Sequence, residues 1–554
     1  MIPERYTPEL IEEYTSKGYW RPITFSHFWE RNAILFPDKE ALVDSRTRLT
    51  WAQSMQLIDR IALGLVELGI KRDELVLIQM PMTADYHLLR TALEKAGIIP
   101  ISILRSYRHQ EVEHFAKRVG AVALFIPWKL RGFDHFQMAE ELRHNLGKLR
   151  HVIVVGDEVP PGAMSLKKLM ETPVEKKYPP NFLDSRRFRF NELSWIITTT
   201  GSTGAPKLIE HAPCHRVYQS DIWIELAKLT ADDVTMVSSP SPAGPNNPAF
   251  FWAPMVGAKI AMLEIWDPEE ALKLVEKERV TILGGTPSQI ALMLNVPDFD
   301  KYDVSSVRFI PTTGTGLPYK IAQEAERRFG CPIMNIFGGA ETGGIATFSR
   351  LDDPFDKRVL TVGKPKPGNE IRLVDEKGKD VPEGKIGEVV LRGPSIAPGF
   401  YQDRKLNRTE YVDGTWIKTG DQGRWDDQGN LMIVGRIKDI IIRAGQNIFP
   451  GEIENLLFTH PKIANVAIVA MPDPVMVESA CAYVVPKSGE TVTFDDMVSF
   501  LKGKVASYKL PERLESIEEL PLVAGGSAMP KVDKKILRAD IIEKLKTEGK
   551  LPEA

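Results

Sequence analysis

Ser194-Trp-Ile-Ile-Thr-Thr-Thr-Gly-Ser-Thr-Gly-Ala-Pro-Lys207 is the stretch on which the fold turns. It opens with an apolar, β-prone run, Trp195 to Ile197, changes abruptly to hydroxyl residues and glycines, and closes on a lysine. A buried strand that ends in such a loop makes a phosphate cradle. Gly201 and Gly204 let the backbone approach closely and aim N–H groups inward. The hydroxyls of Thr199, Thr200, Ser202 and Thr203 add donors, and Lys207 adds a full positive charge. A flexible Gly/Ser linker is the alternative, but linkers do not follow a buried strand or end in Pro-Lys. No Gly-Lys-Ser/Thr closes the loop, so it is not the common P-loop.

Upstream, Leu75-Val-Leu-Ile-Gln, Val122-Ala-Leu-Phe-Ile and Val152-Ile-Val-Val read as buried strands, and 59–68 and 111–119 have helical spacing. Strands alternating with helices predict an α/β fold whose layered sheets are covered on both faces. Strands are also expected at 41–44, 234–237 and 280–285, with a proline-rich loop from Ser238 to Phe251 and a loop from Arg443 to Ile448. Gly399-Phe-Tyr401 reads as a turn. A chain of 554 residues is too long for one ordinary domain. Its formal charge of -3 leaves no basic footprint for nucleic acid. Three cysteines stand far apart without metal spacing, which fits a reducing cytoplasm. The start, Met1-Ile-Pro-Glu-Arg-Tyr, is charged at once and does not read as a signal peptide. The longest charge-free run, Val234–Ala258, holds five prolines and two asparagines and cannot span a membrane.

Downstream, four more stretches follow: Val307-Arg-Phe-Ile-Pro-Thr-Thr-Gly-Thr-Gly-Leu-Pro318, Asn335-Ile-Phe-Gly-Gly-Ala-Glu-Thr342, Trp416-Ile-Lys-Thr-Gly-Asp421 and Gly435-Arg-Ile-Lys-Asp439. Glu341 is chemically telling, because a carboxylate beside a triphosphate is repelled unless it holds a cation such as Mg2+. Asp421, expected at a strand end, is suited to accept both hydroxyls of a ribose. Either acid alone is better read as a surface group or a turn cap. In this order, with the loop at 194–207, the stretches resemble the adenylate-forming superfamily of acyl-CoA synthetases, aryl acid–AMP ligases and luciferases. The resemblance covers almost the whole chain. Tyr14 with Gly18-Tyr-Trp20, and Phe337-Gly-Gly-Ala-Glu341, look like the stand-alone aryl acid–AMP ligases of the 2,3-dihydroxybenzoate type. The aromatic opening reads equally well as a helix packed by its own rings.

The resemblance implies a large N-terminal domain of layered sheets and helices, 1–435, and a small mobile α+β C-terminal domain, 436–554, hinged at Lys438. It implies nucleotide contacts at Thr199, Thr200, Gly201, Ser202, Thr203 and Gly204, at Gly314 and Thr315, at Ile336, Phe337, Gly338 and Ala340, and at Asp421, Arg436 and Lys438. It places Asn246, Asn247 and Gly339 in the acid pocket, and gives Lys207, Glu341 and Lys531 the catalytic work, Glu341 as the metal ligand. Phe250, Phe251 and Trp252 either line that pocket or belong to a helix core. The chain departs from the family in three places. Thr315 stands where relatives have alanine. Pro245-Asn-Asn-Pro replaces the His-Asn-Tyr-Pro of catechol-acid ligases, so the reader of an aromatic 2-hydroxyl is not clearly present. Pro530 replaces the glycine before Lys531 in a longer loop. Lys534 and Lys535 compete with Lys531 and read better as a solvated helix start.

The expected activity is ATP-dependent conversion of a carboxylic acid to an acyl-adenylate with loss of pyrophosphate, then transfer to the thiol of CoA. A separate phosphopantetheinyl carrier protein is the alternative acceptor, since no carrier domain is expected within the chain. The acid is expected to be apolar, cyclic or aromatic. In the first step an anion attacks an anion, and at about 4 Å like charges repel by ~1 kcal/mol in water and several-fold more in a drier site. Mg2+ on Glu341, Lys207 and Lys531 are the charges that would offset this. A non-catalytic regulator that binds acyl-nucleotides is the rival, supported only by Pro530 and its loop.

Overall fold

The computed structural model describes residues 1–199, 207–238, 244–314, 316–444, 446–522 and 532–550. Its largest sheet has eight strands, ordered 399–400, 207–211, 195–199, 99–102, 75–78, 123–127, 151–155 and 164–165. From Trp195–Thr199 outward to Met164–Ser165 every neighbouring pair is parallel, while Lys207–His211 and Gly399–Phe400 add two antiparallel strands at the other edge. Parallel neighbours require crossovers, and the helices Ala84–Ala96, His109–Val119 and His135–Arg143 provide them. Leu75–Ile78 and Ala123–Pro127 are buried at every position, as a sheet covered on both faces demands. The helix read at 59–68 is longer, Trp51–Glu67, because Thr50 and Gln53 form a capping box that starts it early.

A second sheet joins Val234–Val237, Lys259–Met262, Glu40–Val43 and Arg48–Thr50. The strand expected at 280–285 is reduced to single bridges at Ile282 and Gly285. There the carbonyl of Pro245 lies 2.2 Å from where a Cβ on Gly284 would stand, so the chain crosses backbone against backbone. Ser238–Phe251 is not a loop to its end: Pro248–Trp252 forms a π-helical turn that runs into the helix Ala253–Val256. Gly399–Phe400 is an edge strand rather than a turn.

Glu370–Val374, Gly387–Arg392, Trp416–Trp425, Tyr411–Val412 and Leu431–Arg436 make a third sheet. After Arg436 the chain takes one short 3-10 turn, Ile437–Asp439, and enters a different sheet. That last sheet contains Ile441–Arg443, Gln446–Ile448, Ile463–Asp473, Val477–Pro486 and Arg513–Ser516, so the loop expected at 443–448 is a hairpin. Its residues alternate between two cores. Ile468, Ala470, Ala482 and Val484 pack with Ile453, Leu457, Met497 and Leu501; Ala467, Val469, Cys481 and Tyr483 pack with Leu537, Ile541 and Leu545. Helices on both faces of a small sheet give an α+β unit after a large α/β unit.

The aromatic opening belongs to the core. Trp20 is 2% exposed, its ring lies 4.7 Å from Tyr6 and 5.0 Å from Tyr14, and its Nε1 donates to Pro394 O at 2.9 Å. Cys214, Cys331 and Cys481 are free and buried. No helix among the described residues is long and apolar enough to cross a membrane.

Candidate functional site

Trp195–Thr199 and Lys207–His211 run antiparallel in the main sheet, with Thr199 opposite Lys207. Thr200, Gly201, Ser202, Thr203 and Gly204 lie outside the described residues, as do Thr315, Pro530 and Lys531. Lys207 is largely buried. Its Nζ sits 2.8 Å from Glu410 Oε2 and 5.2 Å from the centre of the Phe400 ring. Glu410 is 203 residues away in sequence and was not singled out from it.

Glu341 stands on a two-rung hairpin in which Gly338–Gly339 pair with Gly344–Ile345. Thr342 locks the turn: its hydroxyl accepts from Gly339 N at 2.8 Å and lies 2.9 Å from Gly344 O. Gly343 has φ +74°, and a Cβ there would fall 1.6 Å from Ser395 O, so no other residue fits. Phe337 O accepts from Ala346 N, and Ile336 N donates to Thr312 O, which ties this hairpin to the strand ending before Gly314. Gly314 itself has φ +99°. The Glu341 side chain is half-buried, and among the described residues it has no ion-pair partner. No group of three His, Cys, Asp or Glu there is arranged to cage a metal.

Asp421 is not at a strand end; it sits inside Trp416–Trp425, directly after Gly420 at φ +69° and beside a register shift at Gln422/Gly423. The bulge turns its carboxylate to Arg436, whose Nε lies 2.9 Å away on the neighbouring strand. Glu388 accepts from Gly420 N, and burial raises its carboxyl above the usual range, with Glu410 and Asp421 adding to the rise. Burial lowers Lys438, with Arg436 and Lys535 lowering it further and Asp439 and Asp421 opposing. Lys207, Glu410, Glu388, Asp421, Arg436 and Lys438 thus form one chain of interacting charges, from the start of Lys207–His211 to the short turn between sheets. Lys534 is engaged by Glu454 at 2.6 Å, and Asp533 caps the helix that Lys534 and Lys535 begin.

Asn246 and Asn247 are fully buried. Asn246 Oδ1 accepts from Ser238 N at 2.8 Å; Asn247 donates to Gly244 O and accepts from Arg216 Nη1. Phe250, Phe251 and Trp252 are core. Phe250 stacks on His87 at 4.2 Å, Phe251 meets Phe25 and Trp195, and Trp252 stacks on Trp223. Arg216, Gln219 and Lys366 are buried in the same region, and the sequence reading passed over them. The signal was present at His215, Arg216 and Gln219, which share one face of the helix Pro213–Leu226.

Residues 29–401 match the family model described as AMP-binding enzyme, and residues 452–526 match its AMP-binding enzyme C-terminal domain. Among curated proteins, a 2,3-dihydroxybenzoate-AMP ligase of Bacillus subtilis is 29% identical over 98% of both chains. A salicylyl-CoA synthase / salicylate adenylyltransferase of Streptomyces sp is 30% identical over 97% of this chain and 98% of that protein. The crystal structure of an anthranilate CoA ligase in complex with anthranoyl-AMP shares the fold, with a TM-score of 0.85 at 24% identity over 95% of this chain and 98% of that one.

Proposed function

The chain belongs to the AMP-binding enzyme family and is an AMP-forming acid ligase; on that premise we propose that it activates a cyclic or aromatic carboxylic acid and transfers the acyl group to free CoA in the cytoplasm. The observation that carries the choice of acid is the wall at 244–247. Relatives named for 2,3-dihydroxybenzoate and salicylate act on 2-hydroxylated rings. Here the oxygens of both buried asparagines are already taken by Ser238 N and Arg216, and the amide of Asn247 by Gly244 O. That arrangement favours an acid outside the catechol series, and CoA is the acceptor named for relatives both of the salicylate and of the medium-chain fatty-acid kind. The second reading is an aryl acid–AMP ligase that loads a separate carrier protein. It is favoured by Gly18-Tyr-Trp20, by Phe337-Gly-Gly-Ala-Glu341 and by the identity to a 2,3-dihydroxybenzoate-AMP ligase.

In the first step the oxygen of the acid attacks the α-phosphorus of ATP and pyrophosphate leaves. The protein supplies position and charge. Asp421, held by Arg436, presents acceptor oxygens to the ribose hydroxyls. Gly314 and the segment from Ile336 to Ala340 offer flat backbone to the base, and Gly339 borders the acid. Lys207 exchanges its ion pair with Glu410 for the outgoing phosphates. The residues fit Mg2+: one half-buried carboxylate, Glu341, on a glycine hairpin would hold it by a hard oxygen donor, and the ion would supply charge to offset that of the phosphates. Lys531 is assigned to the α-phosphate, on the resemblance alone. In the second step the acyl carbon passes from AMP to the thiol sulfur, and the thiol proton leaves to solvent. For that step the 436–554 unit turns about Lys438, at the short link between two sheets.

AMP release from ATP is measured with aliphatic, alicyclic and aromatic acids, each with and without CoA. Multiple turnovers on adding CoA support the proposal. A single enzyme-bound turnover that CoA does not discharge identifies a carrier protein as acceptor, and no AMP with any acid refutes the adenylation roles.

A further inference from the structure

Arg216 is 1% exposed, on a helix packed under the Glu341 hairpin. Its guanidinium carbon lies 4.7 Å from the centre of the Phe251 ring and 5.6 Å from that of Trp195. Nη1 donates to Asn247 Oδ1 at 3.3 Å, while Nε and Nη2 have no hydrogen-bond partner among the described residues. Among the described residues the side chain of Gln219 and Nε2 of His211 are unmatched as well. Lys366, also 1% exposed, donates to the backbone oxygen of Gln219 at 3.2 Å. The charges acting on these cations are themselves cationic. Burial lowers Arg216 to about 9 with Arg90 adding, and burial lowers Lys366 well below its usual value with Arg216 adding. Arg90 has Glu94 to compensate it; among the described residues no carboxylate does the same for Arg216 or Lys366.

Two buried cations without an acid are costly, and contact with an aromatic face returns only part of the cost. If packing were the only role, a Met or Leu at 216 would fill the space against Phe251 without a charge. The donors also have a definite location. A Cβ on Gly344 would fall 2.6 Å from Arg216 Nη1 and 3.2 Å from Gln219 Nε2, and one on Gly343 would fall 2.9 Å from His215 Nδ1. Arg216 Nη1 therefore packs against the Gly343–Gly344 turn of the Glu341 hairpin and bonds Asn247, one of the two asparagines assigned to the acid pocket.

We infer that the acid activated by this enzyme is a dianion whose second anionic group, a carboxylate in the simplest case, is received by Arg216 with Lys366 as the supporting charge. The inference rests on the adenylation reading of the same pocket. Nε and Nη2 lie on one edge of the guanidinium, the fork that takes a carboxylate through two parallel bonds. A monoacid leaves that cation buried and unpaired, so the site selects against it by roughly 100-fold or more.

The test pairs each diacid with its monoacid: benzene-1,4-dicarboxylate with benzoate, cyclohexane-1,4-dicarboxylate with cyclohexanecarboxylate, glutarate with valerate. AMP release and calorimetric binding without ATP are both measured on the full chain. At least one diacid is expected to exceed its monoacid by about 100-fold in kcat/KM and in affinity. In Arg216→Gln that ratio is expected to collapse towards one, and in Arg216→Lys to recover in part. KM for ATP should be unmoved, which separates an acid subsite from a phosphate contact. Where Arg216→Gln fails to fold, the wild-type ratio alone decides. Monoacids equal to or better than their diacids in both assays overturn the inference and leave adenylation standing. Diacid binding without AMP release keeps the Arg216 subsite for a second anionic group and overturns the adenylation reading on which its role in activation rests. Neither binding nor AMP release with any acid overturns both.

Discussion

Glu341→Gln separates catalysis from stability. In the folded protein the Glu341 carboxylate is half-buried and has no ion pair among the described residues, while the backbone oxygen of Glu341 accepts from Ala397 N at 3.2 Å whatever the side chain. The substitution keeps the shape and that hydrogen bond and removes one uncompensated charge. Stability should therefore change by no more than about 0.5 kcal/mol. Burial raises the hydroxyl of Tyr411 to about 12, and the Glu341 charge adds to the rise, so Tyr411 should titrate slightly lower in the variant. Catalysis should respond on another scale. Loss of one preorganised charge stabiliser costs about 10²–10³ in rate, roughly 2.7–4 kcal/mol. The assay is single-turnover formation of acyl-AMP across a Mg2+ titration, with thermal unfolding of the same samples. The expected result is an unchanged midpoint with adenylation slower by at least 100-fold and a weaker response to Mg2+. Adenylation within threefold of the parent at every Mg2+ concentration would refute the metal role. A fall in the unfolding midpoint that accounts for the lost rate would refute the reasoning about an unpaired carboxylate.

Lys531→Ala should slow adenylation by roughly 10²–10³-fold while thioester formation from supplied acyl-AMP stays nearly intact; equal loss in both half-reactions removes the assignment. Lys438→Pro should spare adenylation and stop transfer to the thiol, since proline fixes φ in the link between sheets; if neither half-reaction changes, Lys438 is not a hinge. Glu210 gives a pH signature. Burial lifts its carboxyl to about 7, with the Glu4 charge adding, against 4.5 when unfolded. The folded state thus holds the extra proton and loses stability as pH rises through about 4.5 to 7. Glu210→Gln should remove that loss, by about 3 kcal/mol at pH 8 and nothing at pH 4, read as the unfolding midpoint at each pH. A midpoint difference independent of pH would mean that the charge of Glu210 is not what burial penalises.

Much of this molecule is determined locally. The buried strands at 75–78, 123–127 and 151–155 and the strand that opens at Trp195 are legible because burial on both faces leaves a continuous apolar run. The order of the five motifs carries the chemistry and the family. What the sequence cannot report is which side chains meet across the fold. Glu410 reaches Lys207 from another sheet; Phe250, Phe251 and Trp252 are taken up by His87, Trp195 and Trp223 rather than by a substrate. That Arg216 and Lys366 are buried is decided only where tertiary packing closes over them. Periodicity encodes only the face on which a residue lies; its burial and its partner depend on what other elements bring against that face, and there the cost of an unpaired charge is decided.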